Sequence, residues 1–404
     1  MTTQTAFAGL DCVDCGRRHD ADAHGRCDDC DGLLSPAYDL DPDVVERGVA
    51  DPARVPLPFP ADERVRAAEG DTPAVETARL ADELGVASLV VKDEARNPTG
   101  TVYDRGMSVA VTAARAAGTE PLALAAAGNA AQSAAAYAGR ADLRSYAFVP
   151  SRMAFSNKAM VNVHGGEMRV VGGRFDDAAA AVDEQLATDY YSLSAFETPY
   201  RHDGVKTLAY ELIADHARDR VGPLSDAAAV ADAAPLPTPD AVVVPVGTGE
   251  LLVGLDRGLS ELAAADLLAD EPTVVAAQPS GCAPVATAVE EGATTTAPWE
   301  TPDTIVGELE IPDPTGGELA AAALRDRPGR AVTVSDDDAL ESAVTAAQTA
   351  VLEIGGAGGV GLAAAWALAD EGVLDETSEV VVVNPDAGVK TPDVLRSHLM
   401  GQGI

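Results

Sequence analysis

The sequence predicts an α/β fold in which helices cover a mainly parallel sheet. Residues 88–91, 241–246, 273–276 and 379–383 are short, continuously apolar runs rich in valine and alanine. That is the pattern of strands buried on both faces of a parallel sheet. Alanine-rich stretches at 105–117, 130–140, 204–217 and 357–370 have the length and spacing of helices. The two kinds of segment are interspersed along the chain, which implies helices packed on the sheet rather than separate all-α and all-β parts.

The first element is set by cysteine. Four of the five cysteines form Cys12-x2-Cys15-x11-Cys27-x2-Cys30. Two such knuckles let four thiolates converge tetrahedrally on one Zn²⁺, and Gly16 and Gly25 permit the turns between them. Residues 8–36 are therefore expected to form a zinc ribbon. A pair of disulfides is the alternative, disfavoured in a reducing cytoplasm. A closed four-sulfur site leaves no open position for substrate, so the metal is expected to be structural. His19 and His24 lie inside the ribbon without being needed as ligands. Cys282 reads as a small buried residue. Residues 222–239, rich in Ala, Pro and Asp without a clear period, read as an exposed loop before the strand at 241.

At 404 residues with 47% hydrophobic content the chain is long enough for two or three domains with a real core. The net charge is −37, and lysine occurs only at Lys92, Lys158, Lys206 and Lys390. Such a surface repels itself in dilute buffer but is screened at molar salt, where the Debye length is about 3 Å. The composition thus reads as adaptation to a salt-rich cytoplasm. Its sign argues against nucleic-acid partners. No apolar run reaches the roughly 18 residues of a membrane span, and residues 1–9 lack the pattern of a signal peptide. A cytoplasmic location is expected.

Several segments carry a family likeness. Residues Asn97-Pro98-Thr99-Gly100-Thr101-Val102-Tyr103-Asp104-Arg105-Gly106 resemble the Asn-Pro-Thr-Gly-Ser-Phe-Lys-Asp-Arg-Gly segment of threonine synthases. Glu69-Gly70-Asp71-Thr72-Pro73, Val91-Lys92-Asp93-Glu94, Gly204-Val205-Lys206-Thr207 and Gly388-Val389-Lys390-Thr391-Pro392-Asp393 are similar in the same register, and the ribbon with its exit at 32–41 is shared with some members. The resemblance implies the two-domain fold of type II pyridoxal phosphate (PLP) enzymes, usually homodimeric, with the cofactor in the cleft between domains. It implies a ribbon at 8–36, a larger α/β domain from 37–120 and 205–404, and a smaller one from 121–204. The family reaction is conversion of O-phosphohomoserine to threonine and phosphate.

The family's cleft loops are altered here. Tyr103 stands at the position of the lysine that carries PLP; a phenol forms no imine, though it can serve as a weak acid or base, or simply fill the space. None of the four remaining lysines looks recruited in its place, since each falls where similar family segments also have one. Ala126-Ala127-Gly128-Asn129-Ala130-Ala131 replaces Ser-Thr-Gly-Asn-Thr-Ser, keeping Asn129 for the cofactor hydroxyl and losing the side-chain hydroxyls that hold the substrate carboxylate. Val246-Gly247-Thr248-Gly249-Glu250 resembles the phosphate cup, with Gly247, Thr248 and Gly249 retained. Glu250 either repels a phosphate there or turns to solvent and caps the helix. The partner of the pyridine nitrogen falls at Pro385, or one residue away at Asn384 or Asp386.

These losses together imply a threonine-synthase-like protein without imine chemistry. Three functions follow: a binder of a small anionic metabolite, favoured by Asn129, Arg105 and the helix N-termini; an enzyme of altered mechanism using Tyr103; and a structural partner of an active paralogue. A homodimer or a dimer with that paralogue is expected.

Overall fold

A computed structural model describes residues 6–401 except 22, 24, 187 and 188, so His24 lies outside the described residues. The chain builds three sheets. β1 (Phe7–Cys12), β2 (Arg18–His19) and β3 (Leu34–Tyr38) form a small antiparallel sheet of order β2-β1-β3. The larger sheet takes β4 (Ala74–Glu76), β5 (Ser88–Asp93), β10 (Ala241–Pro245), β11 (Thr273–Pro279), β12 (Gly329–Val334) and β13 (Glu379–Asn384). Its order is β12-β11-β10-β13-β5-β4, parallel throughout except for the edge strand β4. The smaller sheet, β8-β7-β6-β9, is all parallel and comprises β6 (Leu122–Ala125), β7 (Ser145–Pro150), β8 (Glu167–Val171) and β9 (Tyr191–Ser192).

The continuous apolar runs are central strands. Every residue of β10 and β6 is buried, as helices cover both faces. The helix Tyr103–Ala117 shares its core with the smaller sheet: Met107, Val109 and Val111 pack in one cluster with Leu122, Leu124 and Val149. The helix Gly356–Asp370 is apolar nearly all round and is buried against the larger sheet.

The segment 222–239 is not the exposed loop its composition suggests. Asp226 caps a helix, Ala227–Ala233, by accepting from the Ala229 N–H, and Leu224, Val230 and Leu236 are all buried. Three apolar residues spaced six apart anchor the segment through tertiary contacts, and such spacing has neither the helical nor the strand period.

The ribbon docks on the body through the short helix Tyr200–Val205 together with Lys206 and Arg257. The Tyr38 hydroxyl donates to Asp203, Lys206 Nζ sits 3.6 Å from the centroid of the Tyr38 ring, and Arg257 donates to Ser35 Oγ at 2.6 Å. Tyr200 packs against Phe7 and Phe59 and donates to the Ala21 carbonyl.

Candidate functional site

The loops that follow β6, β10 and β13 converge between the two larger sheets, at the carboxyl ends where open α/β folds bind ligands. Tyr103, Asn129, Gly247, Thr248, Gly249 and Glu250 all line this one cavity, with Pro385 and Asp386, whereas Ala127 and Gly128 line a neighbouring one.

The motif that leads into it is scaffold. The buried Asp104 carboxylate accepts the Thr99 N–H and hydroxyl, both at 2.6 Å, and the Ser133 hydroxyl at 2.5 Å. Asn97 ties Gly70 to Glu94. Arg105 is not free to meet a ligand, contrary to the role given it above. Its fork grips Glu94 at 2.6 and 2.8 Å and Glu211 at 2.7 Å twice, with Thr207 at 2.9 Å. A fully buried guanidinium in a core of this kind has to spend its donors on carboxylates.

Glu250 is the second correction. It neither faces solvent nor stands free, being only 1% exposed and clasped by the equally buried Arg201. Arg201 Nε donates to Oε1 at 2.9 Å, its second nitrogen donates to Oε2, and its third reaches the Leu193 carbonyl at 2.7 Å. The carboxylate sits in the first turn of the helix Glu250–Ala264, where the N-terminal dipole favours negative charge. Gly249, at φ +91°, makes the turn that brings it there, and a Cβ at that position would meet the Gly316 carbonyl at 2.8 Å. Burial pushes the Glu250 carboxyl up while Arg201 pulls it back. The Arg201 guanidinium also lies 5.5 Å from the centroid of the Tyr103 ring, giving the order Tyr103, Arg201, Glu250 across the inner cleft. Burial raises the Tyr103 phenol, and Glu250 raises it further.

The same cavity is lined by two more carboxylates that the sequence reading did not place as a set, Asp386 and Glu308. Asn129 spends its amide donor on Asp386 Oδ2, leaving Asn129 Oδ1 buried without a partner. Burial, followed by the Glu308 charge, holds Asp386 up at about 7. Among the lysines, Lys92 pairs with Asp215 at 2.8 Å and Lys206 with Glu261 at 2.9 Å. Lys390 is buried with its Nζ unpartnered, and desolvation lowers its pKa.

A second, wider cavity of about 120 Å³ opens outward from Glu308. Gly128, Asn157, Arg152 and Arg174 line it, and both guanidiniums lean on the single carboxylate of Glu310, at 2.8 and 3.5 Å. Asn157 Oδ1 is buried there without a hydrogen-bond partner, and Arg174 Nε has none beyond its 3.5 Å approach to Glu310. Local pattern could not reveal this group, because its members come from segments more than a hundred residues apart in the chain, Arg152 and Glu310.

In the ribbon, Cys12, Cys15, Cys27 and Cys30 bring their sulfurs within 4.8 Å of one another. Cys12 and Cys30 stand 3.4 Å apart and Cys15 and Cys27 3.8 Å apart, all unbridged. Four sulfurs bound at 2.3 Å around a tetrahedral zinc stand roughly 3.8 Å apart, so the donor set fits that metal.

Comparison with known proteins matches residues 65–386 to the family of pyridoxal-phosphate dependent enzymes. The chain is 28% identical to the threonine synthase of Methanosarcina acetivorans over 394 residues, covering 96% of this chain and 93% of that protein. It is 30% identical to the threonine synthase of Synechocystis over 333 residues, 80% of this chain and 78% of that one. Among solved structures, the L-serine ammonia-lyase of Rhizomucor miehei superposes with a TM-score of 0.67 at 19% identity, over 84% of this chain and 100% of the other. Diaminopropionate ammonia lyase of Escherichia coli gives 0.69 at 15%, over 83% and 89%. The chain belongs to the threonine synthase family of fold type II PLP-dependent enzymes.

The residues lining the inner cleft do not fit the family's cofactor. Among the described residues no lysine lines the cavity, the Glu250 carboxylate stands in the first turn of the helix beside the glycine turn that would take a phosphate, and Asp386 and Glu308 line the same space. The space left is about 30 Å³. At 10–15 Å³ each that is room for about two waters, far from a phosphorylated pyridine aldehyde.

Proposed function

We propose that this chain is a threonine-synthase-like protein that has given up imine chemistry and binds a small anionic metabolite at the mouth of its cleft without turning it over. The observation that carries this reading is the Tyr103–Arg201–Glu250 stack. It lines the inner cleft with a phenol and with a carboxylate already paired to a guanidinium, and brings no amine to it. The outer cavity supports the binding half of the proposal. Arg152 and Arg174 present two guanidiniums to one carboxylate, beside the orphaned Asn157 Oδ1 and the start of the helix Asn129–Arg140. The ribbon at 8–36 is read as a structural zinc module.

Two titrations test this. PLP added to the wild-type protein leaves the visible spectrum of the free aldehyde unchanged, and O-phosphohomoserine binds saturably without release of phosphate or formation of threonine. Arg152→Gln with Arg174→Gln weakens that binding about tenfold or more, as expected when charge-assisted hydrogen bonds are lost. Threonine formation by the unmodified protein would overturn the proposal.

A further inference from the structure

Away from the cleft, a cavity of about 200 Å³ opens where residues 51–53, the segment 64–71 and the helices Tyr200–Val205 and Thr207–Val221 meet. Its floor is the Arg105 network, whose donors are all spent on Glu94, Glu211, Thr72 and Thr207. Its wall carries Arg64 and Arg66. Arg64 makes no ion pair or hydrogen bond among the described residues, and its Nε is buried without an acceptor. Arg66 Nε is also unpartnered, reaching Glu69 Oε1 only at 3.5 Å. Burial and the neighbouring Arg66 charge push Arg64 down to about 10.

That arrangement is out of keeping with the rest of the molecule. With 65 acidic residues against 28 basic ones, a guanidinium here has carboxylates in excess. The lining carboxylates Asp51 and Glu69 are largely engaged elsewhere, with Glu69 Oε1 facing Arg66 at 3.5 Å and Asp71 at the exposed rim. Asp51 accepts from the Ala53 N–H and pairs with Arg54, while Glu69 Oε2 takes the Tyr137 hydroxyl and the Ala67 N–H. A largely buried guanidinium at Arg64 with no hydrogen-bonding carboxylate, set beside the charge of Arg66, costs stability. Costs of this sort are retained where a ligand repays them.

We infer that Arg64 and Arg66 form a binding site for a small oxyanion, a phosphate or a carboxylate, distinct from the cleft. Neither guanidinium is held by a rigid ion pair, so both donor forks can close on one ligand, and the cavity admits a small acid with some of its waters. The site is independent of the proposal for the cleft mouth.

The test is calorimetric titration with inorganic phosphate and with acetate at constant chloride, in an Arg152→Gln, Arg174→Gln background that weakens the cleft mouth. Saturable binding of at least one probe is expected, weakened tenfold or more by Arg64→Gln and by Arg66→Gln. Without ligand, Arg64→Gln melts at the same temperature as its parent or higher, because it removes a largely buried charge that has no hydrogen-bond acceptor. Absence of saturable heat from either probe, affinity unchanged in both variants, or a lowered melting temperature in Arg64→Gln would each overturn the inference. The last outcome would mean that Arg64 is structural.

Discussion

Arg201 and Glu250 meet through two parallel hydrogen bonds in the fully buried inner cleft, though 49 positions separate them in the chain. Removing one member leaves the other charged and unpaired, which costs about 3–5 kcal/mol. Glu250→Ala is therefore expected to shift the denaturation midpoint strongly, while Arg201→Met combined with Glu250→Leu recovers most of the loss. Denaturant unfolding of the three proteins in molar salt measures this, and equal losses for the single and double variants would count against it.

The same pair sets an expectation for cofactor rescue. Tyr103→Lys supplies an amine, but the Glu250 carboxylate still stands beside the cup, so it should bind PLP weakly and form no threonine. Adding Glu250→Gly opens the cup and strengthens binding, at the stability cost of freeing Arg201. Phosphate anchoring and substrate orientation each contribute kcal/mol that one amine does not replace. Absorbance on PLP titration distinguishes the variants, and robust threonine synthesis by Tyr103→Lys alone would refute the expectation.

The ribbon should hold about one zinc per chain. Elemental analysis of the purified protein checks the count, and Cys27→Ser with Cys30→Ser should abolish it. Removal of the metal also loosens the antiparallel sheet whose Tyr38 and Ser35 dock on the body, so a chelator should lower the melting temperature.

Salt dependence follows from the charge of −37. Most of the 65 acidic groups lie at the surface, and their mutual repulsion is screened only when the Debye length falls to a few ångströms. Dilution from molar to tenth-molar salt should lower the melting temperature by several degrees or unfold the chain outright. An unchanged melting curve would show that the acidity serves something else.

Asp386 gives a pH signature. Its carboxyl is held at about 7, chiefly by burial and then by Glu308, against about 3.9 in an unfolded chain. Between those values the folded protein keeps a proton that the unfolded one has released, so stability declines as pH rises from about 4 to 7 and levels off above. His202 works in the opposite sense. Burial, then the charge of Arg257, depresses it to about 3, so its contribution is lost as pH falls below its unfolded value near 6.5. The difference between wild type and Asp386→Asn isolates Asp386. The variant should be the more stable above pH 7, by about 1.4 kcal/mol for each unit of the shift, and the gap should close toward pH 4.

The strands and helices of the α/β body were legible because burial on both faces leaves continuous apolar runs such as Ala241–Pro245, and the knuckle spacing marked the ribbon. The convergence of Tyr103, Asn129 and residues 247–250 on one cavity was legible from motifs alone. What stayed hidden depends on partners distant in sequence. Nothing around Glu250 signals that Arg201 will neutralise it, and nothing around Arg105 signals that Glu94 and Glu211 will consume its donors. The helix Ala227–Ala233 was missed for the same reason, since its hold on the body runs through single residues rather than a periodic face.

One six-residue helix joins the two ends of the molecule's chemistry. Tyr200 and Asp203 turn toward the ribbon, while Arg201 between them turns toward the cleft. The same six residues hold the ribbon with two side chains and the pair behind the Tyr103 ring with a third, so a substitution that unwinds this helix loosens both attachments at once.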